Sequence, residues 1–386
     1  MNMNERSLHI MMVGLRGFPD VQGGVERHVE NLSRELVALG CAVTVLVRSR
    51  YQHQHIGPQW NGIRLRKIWS PVSAKFEAII HTFLGVLYAA VVRPDILHIH
   101  AIGPALTTPL ARILGLRVVV THHGEDYNRQ KWGAFAKKVL TLGEKFGMQY
   151  ANARIAISGG LRNSVTQKFG IACAHISNGV ELPDLCSQSV VLQKFALTPR
   201  RYVLLVSRFV PEKRHLDLIH AFLVAKMPEW KLVLVGKADH PDQYDRQIST
   251  AVHGADNIVC TGFLAGQDLH EVYLHAGIFV LPSSHEGLPI SILEAMSYGL
   301  PIIASDIPPN REISNDAIDY FSVGDTASLT ALLESKANAT FEHDRCEEIR
   351  EIIRSHYRWC DIAKKTYSVY ASVRYPCDAS VIKQRI

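Results

Sequence analysis

YVLLVSR, residues 202–208, decides how the chain divides. A short aliphatic run bounded by charge predicts a buried strand, and here it opens a second series of alternating strands and helices. Ahead of it stand HIMMVGL (9–15), a helix over 24–39, AVTVLVR (42–48), a helix over 74–91, ILHIH (96–100), RVVVTHH (117–123) and ARIAIS (153–158). After it come a helix over 214–225, KLVLVG (231–236), NIVCTGF (257–263), IFVLPS (278–283), a helix over 289–298 and PIIASD (301–306). Strands separated by helices predict parallel sheets. Residues 177–200, with Gly179, Pro183, Pro199 and weak periodicity, predict the linker. The expected fold is α/β, with two doubly wound, Rossmann-like domains at 1–180 and 181–360 and a C-terminal segment at 361–386. Open parallel sheets bind ligands at the carboxyl ends of their strands, so two that face each other across a cleft make a two-substrate site.

Length and composition agree with this division. At 386 residues the chain exceeds one ordinary core, and 47% hydrophobic with 20% charged residues suits a globular protein. The seven cysteines, at 41, 173, 186, 260, 346, 360 and 377, are scattered and never spaced CxxC, which disfavours a disulfide framework or zinc ribbon and predicts a reducing cytoplasm. The N-terminus carries no secretory pattern. The longest uncharged apolar run, IIHTFLGVLYAAVV (79–92), has 14 residues, short of the roughly 20 needed to span a bilayer. It predicts a buried helix or one lying in a membrane interface. Residues 1–180 hold 21 Lys and Arg against 10 Asp and Glu, whereas the remainder holds 21 against 26. The basic first half suits an anionic partner such as lipid head groups or phosphates; no aromatic-basic motif supports nucleic acid.

Several clusters carry chemistry. Gly23-Gly24 ends the loop after the first strand at a helix start, where backbone N–H groups and the helix dipole suit a phosphate. Gly14, Gly17 and this pair do not form GxGxxG, which disfavours a nicotinamide dehydrogenase. His98 and His100 share one strand face, and His122 and His123 end another strand. An HxH metal hydrolase would also need carboxylate ligands in a closed barrel, so no metal site is expected. No DxD triplet is present to hold a bridging divalent ion, leaving Arg208 and Lys213, at a strand-to-helix transition, to neutralise a diphosphate. In SSHEGLPISILEAMSYGLPIIASD (283–306), Glu286 lies in a loop and Glu294 on the following helix. Carboxylates there can accept sugar hydroxyls, beside the N–H groups of Gly287 and Leu288.

With these residues the chain resembles the family 4 glycosyltransferases, retaining enzymes of the GT-B fold, especially bacterial enzymes of exopolysaccharide and surface-glycan synthesis. The most specific element is the glutamate pair at this spacing. The resemblance implies that 1–180 binds the acceptor, that 181–360 binds the nucleotide sugar, and that the last helix returns to the first domain. It implies that Glu294 grips the ribose, that Glu286 and the amides of 287–289 (Gly287, Leu288, Pro289) contact the donor sugar, and that Arg208 and Lys213 hold the diphosphate. His123 is similar to the family's active-site histidine, Gly23 and Gly24 would approach the donor phosphate, and TGFL (261–264) nominates Phe263 and Leu264 for the base. The implied activity is metal-independent, cofactor-free sugar transfer from a nucleotide-diphosphate donor to a glycan or lipid-linked acceptor, in the cytoplasm or peripherally on the plasma membrane. An epimerase of the same fold and a catalytically inactive binding protein are the alternatives.

Overall fold

The short aliphatic runs become strands because their side chains are buried on both sheet faces. A computed structural model describes residues 7–52, 56–72, 76–129, 133–184, 190–239, 242–314, 316–339 and 343–375. Cys186, Cys377, residues 74–75 of the expected second helix and residues 376–386 lie outside these. The chain divides into one unit of residues 1–178 and 359–386 and another of Gly179–Arg358.

In the first unit the elements run β1 (His9–Val13), α1 (Gly24–Ala38), β2 (Ala42–Arg48), β3 (Gln59–Trp60), β4 (Ile63–Ile68), α2 (Glu77–Val92), β5 (Ile96–His100), α3 (Thr108–Ile113), β6 (Val118–His122), α4 (Ala134–Tyr150), β7 (Ala153–Ala156), α5 (Gly159–Phe169) and β8 (Ala174–His175). The sheet order is β3-β4-β2-β1-β5-β6-β7-β8, parallel except for the β3–β4 pair. One face is covered by α1, whose Val29, Leu32 and Leu36 are fully buried, and the other by α2 to α5 through Val86, Ala89, Ala111, Met148 and Val165. Burying one such aliphatic side chain contributes about 1.5–3 kcal/mol.

The second unit holds α6 (Val190–Lys194), β9 (Tyr202–Val206), α7 (His215–Val224), β10 (Lys231–Val235), α8 (Gln243–Ala251), β11 (Ile258–Gly262), α9 (Gly266–Leu274), β12 (Ile278–Leu281), α10 (Ile290–Ser297), β13 (Ile302–Ser305), α11 (Pro308–Arg311), β14 (Ile318–Phe321), α12 (Thr326–Asn338) and α13 (His343–His356). Its sheet is wholly parallel, in the order β11-β10-β9-β12-β13-β14. The chain winds outward one way from β9 and the other way from β12, so the order reverses between these two adjacent strands.

A break at residues 357–358 separates α13 from the last helix. Val180 N–H donates to the Tyr357 carbonyl at 2.7 Å, and beyond Arg358 the chain resumes as α14 (Trp359–Arg374). That helix belongs to the first unit. Trp359, Ile362, Ala363 and Tyr370 join the α1-side core, and Arg374 pairs with Asp95 at 2.8 Å.

Candidate functional site

In the second unit the site is assembled at the β9/β12 reversal, where loops leaving adjacent carboxyl ends diverge and open a crevice. After β9, Ser207 Oγ lies 3.0 Å from His215 Nε2, and His215 N–H donates to Tyr244 Oη at 2.8 Å, which anchors both ends of the 208–214 loop. The turn Pro211–Lys213 is tied to the loop after β12 because the Glu212 carbonyl accepts from Ser284 N–H at 2.9 Å. Lys213 Nζ and Glu286 Oε1 consequently meet at 2.5 Å, with only 16% and 10% of their side chains exposed. A charge pair so sheltered from water is far stronger than one on an open surface.

Arg208 occupies the same sheet edge but pairs with Asp239 at 2.9 Å, from the loop after β10. Glu212, four residues on in the same loop, is buried. Glu294, on α10, accepts from Tyr273 Oη at 3.0 Å. Tyr273 is itself clamped by stacking on Tyr298 at 5.3 Å and on Phe279 at 5.9 Å. Phe263 and the buried Leu264 follow β11 directly, at the same carboxyl edge, and Gly287 and Leu288 lie between Glu286 and α10. Pro289 corrects one expectation twice: it is the cap before the helix, not a residue of its first turn, and it has no N–H to offer an anion.

In the first unit, Gly23 caps α1 and Gly24 begins it. A Cβ on Gly23 would stand 2.0 Å from Glu26 Oε2, the carboxylate that pairs with Arg16 at 3.0 Å. A side chain there would displace this ion pair, and the φ of +156° would strain it. A Cβ on Gly24 would meet nothing within 4 Å, so that position is open towards solvent.

The two strand-end histidines separate cleanly. His122 Nε2 is 3.0 Å from the buried Glu144 carboxylate, and its Nδ1 accepts from Gly124 N–H at 3.2 Å, so both ring nitrogens serve the fold. His123 turns instead towards β5 and α1: its Nε2 lies 3.1 Å from His100 Nδ1, and its ring packs edge-on against His28 at 4.8 Å. His98 is committed elsewhere, to Tyr370 Oη at 2.6 Å and Thr121 Oγ1 at 2.7 Å. Loss of water holds His98, His100 and His123 well below the usual histidine range, reinforced by their mutual repulsion. Burial likewise takes His28 down to about 4, against the Asn178 hydrogen bond. All four are neutral near pH 7.

His28, Asp239, Tyr273 and His215 escape the sequence reading. Only His28 leaves a local signal, as a polar residue in line with the buried Leu32 and Leu36 of α1.

Two doubly wound parallel domains, one carrying a sheltered Lys–Glu pair at its switch point, define a GT-B α/β protein. The match to models of known families is direct: residues 22–183 fit the Glycosyltransferase Family 4 model and residues 192–353 the Glycosyl transferases group 1 model, so the chain belongs to these glycosyltransferases. It is 27% identical over 376 residues to the GDP-mannose:cellobiosyl-diphosphopolyprenol alpha-mannosyltransferase of Xanthomonas campestris, covering 89% of this chain and 92% of the relative. Its fold is similar to sucrose-phosphate synthase from Thermosynechococcus elongatus, with a TM-score of 0.78, 19% identity and coverage of 95% of this chain and 99% of that one. HepE of Anabaena, solved in complex with UDP-glucose, aligns with a TM-score of 0.76 and 17% identity over 95% of this chain and 100% of its own.

Proposed function

We propose that this glycosyltransferase is a metal-independent, retaining enzyme that moves a sugar from a nucleotide-diphosphate donor to a glycan or lipid-linked acceptor in bacterial polysaccharide synthesis. The Lys213–Glu286 pair at the β9/β12 crevice carries the reading. During transfer the bond from the anomeric carbon to the diphosphate oxygen breaks, a bond to the acceptor oxygen forms on the same face, and the acceptor proton passes to the departing phosphate. Negative charge grows on the leaving group, so fixed cations beside it stabilise the transition state more than the ground state. Lys213 and Arg208 supply that charge, and the α1 N-terminus at Gly23 and Gly24 supplies backbone dipoles. We assign Glu294, held by Tyr273, to the ribose diol, Glu286 to sugar hydroxyls, and Phe263 and Leu264 to the base. We assign His123, neutral and partly exposed, to orienting the sugar.

Donor binding is tested by thermal shift across UDP-, GDP- and ADP-sugars, since a ligand that binds the native state raises Tm. One donor class is expected to do so, and Glu294→Ala to weaken its binding about tenfold or more through loss of a half-buried acceptor oriented by Tyr273. No shift with any donor, or full affinity in the variant, contradicts the assignment. Gly24→Ala separates packing from ligand approach. Its new methyl meets open space, so Tm is expected to hold or rise, by about 0.4–1 kcal/mol of stability, while turnover falls as the methyl blocks the phosphate. Unchanged turnover removes Gly24 from the site.

The lipid-linked acceptor is supported by the surface of the first unit and by the acceptor in the Xanthomonas relative's name. On α2, Phe83, Leu87 and Val91 form an exposed apolar stripe, so the helix is not fully buried, and we read that stripe as a membrane-interface face. Exposed Phe135 stands on α4, which also carries a hollow of about 350 Å³ lined by Lys137, Lys138, Thr141, Leu142 and Lys145. No helix among the described residues is long and apolar enough to cross a membrane. Apolar side chains beside lysines suit insertion at an anionic membrane surface. Sedimentation with phosphatidylserine vesicles at low salt is expected, with release by salt and loss in a Phe83→Ser, Leu87→Ser double variant. Wild-type protein that stays in the supernatant contradicts it.

A further inference from the structure

From the placement of His28, His100 and His123 we infer a binding site for one transition-metal ion of the zinc class, which captures His123 and so suppresses transfer. The sequence pattern pointed to His98, His100, His122 and His123 and away from any metal; the folded chain selects a different set. His98 and His122 are occupied on both nitrogens. His28, brought in from α1, replaces them, and one ligand atom from each of the three lies within 4.8 Å of the other two.

The geometry approaches what a tetrahedral ion needs. Zn–N bonds of about 2.0–2.1 Å place two coordinating nitrogens about 3.3 Å apart. His100 Nδ1 and His123 Nε2 stand at 3.1 Å, already close to a chelating separation. Asn178 Oδ1, an acceptor only, sits 2.9 Å from His28 Nδ1; the hydrogen therefore resides on Nδ1, and Nε2 keeps its lone pair. Such an outer partner, fixing tautomer and ring orientation, is what metal-binding histidines usually have. His100 Nε2 is buried with no hydrogen-bond partner among the described residues. The ring can carry its hydrogen on that nitrogen and turn Nδ1 to the metal without releasing a proton. Three neutral imidazoles and no carboxylate favour zinc, copper, nickel or cobalt over magnesium or calcium. His123 is partly exposed and provides the entry path; with three protein ligands, a tetrahedral ion takes its fourth from solvent.

Binding itself does not depend on the proposed enzymatic role; only the suppression of transfer rests on that reading. EDTA-treated full-length protein titrated with Co²⁺ is expected to develop visible d–d absorption saturating at one equivalent, and Zn²⁺ to displace it with micromolar or tighter affinity. His28→Gln is expected to abolish the band, with circular dichroism confirming the fold. Asn178→Ala, which leaves all three ligands in place, is expected to weaken binding about 10- to 100-fold. It is the decisive variant if His28→Gln does not fold. No band with the wild type overturns the site, as does an undiminished band in whichever of these variants folds, because the ion then sits on other histidines. Zn²⁺ at one equivalent is expected to lower sugar transfer reversibly, with EDTA restoring it; a metal-loaded protein with full turnover overturns the inhibitory role.

Discussion

Lys213→Ala is expected to lower kcat about 100- to 1000-fold, the loss typical of removing one preorganised group from a developing negative charge. Donor affinity should change much less, because the ground-state diphosphate retains Arg208 and backbone contacts whereas the transition state loses its sheltered cation. The pairing with Glu286 gives the prediction its specificity: the ammonium is held by a carboxylate with little exposure, so its position is set before substrate arrives. Lys213→Arg should recover only part of the rate, since a planar fork cannot occupy a site shaped for a compact ammonium. Single-turnover kinetics with saturating donor separate these effects. A Lys213→Ala enzyme with wild-type kcat would mean that the leaving group is stabilised elsewhere.

Acid is expected to destabilise the protein by several kcal/mol between about pH 6.5 and 4, a large fraction of a typical folding free energy. Burial holds His28 and His81 down to about 4 and His215 down to about 3, the last helped by the nearby Lys213 charge. His98, His100 and His123 are depressed in the same direction. A histidine whose folded pKa lies below its unfolded value of 6.5 binds fewer protons when native. Its contribution is fully present above pH 6.5 and is lost as the pH falls through the folded pKa, at up to about 1.4 kcal/mol per pH unit for each group. Urea midpoints measured in EDTA at about pH 7.5 and about pH 5.5 should differ markedly, and His28→Gln should reduce the slope. Equal midpoints would show that these rings are hydrated or protonated in the native state.

Most of the fold was legible because its strands are locally written. AVTVLVR and ILHIH match β2 and β5 residue for residue, and YVLLVSR located the restart of the pattern, which runs on two residues past β9. The expected helix over 289–298 is α10 with one residue trimmed from each end. The β3–β4 pair was missed although Ile63 and Leu65 alternate with Arg64 and Arg66, because cations placed near a sheet edge mask the pattern of two. The helix α4 was missed for another reason. Its buried face is Gly143, Glu144, Gly147 and Met148, and a Cβ on Gly143 would lie 2.2 Å from the Ile102 carbonyl; close backbone packing puts glycines where a buried aliphatic stripe would mark a helix.

At the site, residue identities were legible and their partners were not. Glu286, Glu294, Lys213 and Arg208 stand out by charge in apolar or glycine-rich surroundings. Asp239 beside Arg208, Tyr273 beside Glu294 and Asn178 beside His28 are 31, 21 and 150 residues away, and no local periodicity records such contacts. The tertiary structure also separates His122 from His123, since only burial against Glu144 shows that the first is structural.

The central claim is that fixed cations and backbone dipoles stabilise a nucleoside diphosphate as it leaves a sugar bound for an acceptor. Its most direct test is the release of nucleoside diphosphate from the donor identified by thermal shift, measured with and without a polyprenyl-diphosphate-linked glycan. Release that requires the acceptor, with a product anomeric configuration matching the donor's by NMR, is the predicted result. An altered sugar formed without acceptor, or no release under either condition, would contradict it.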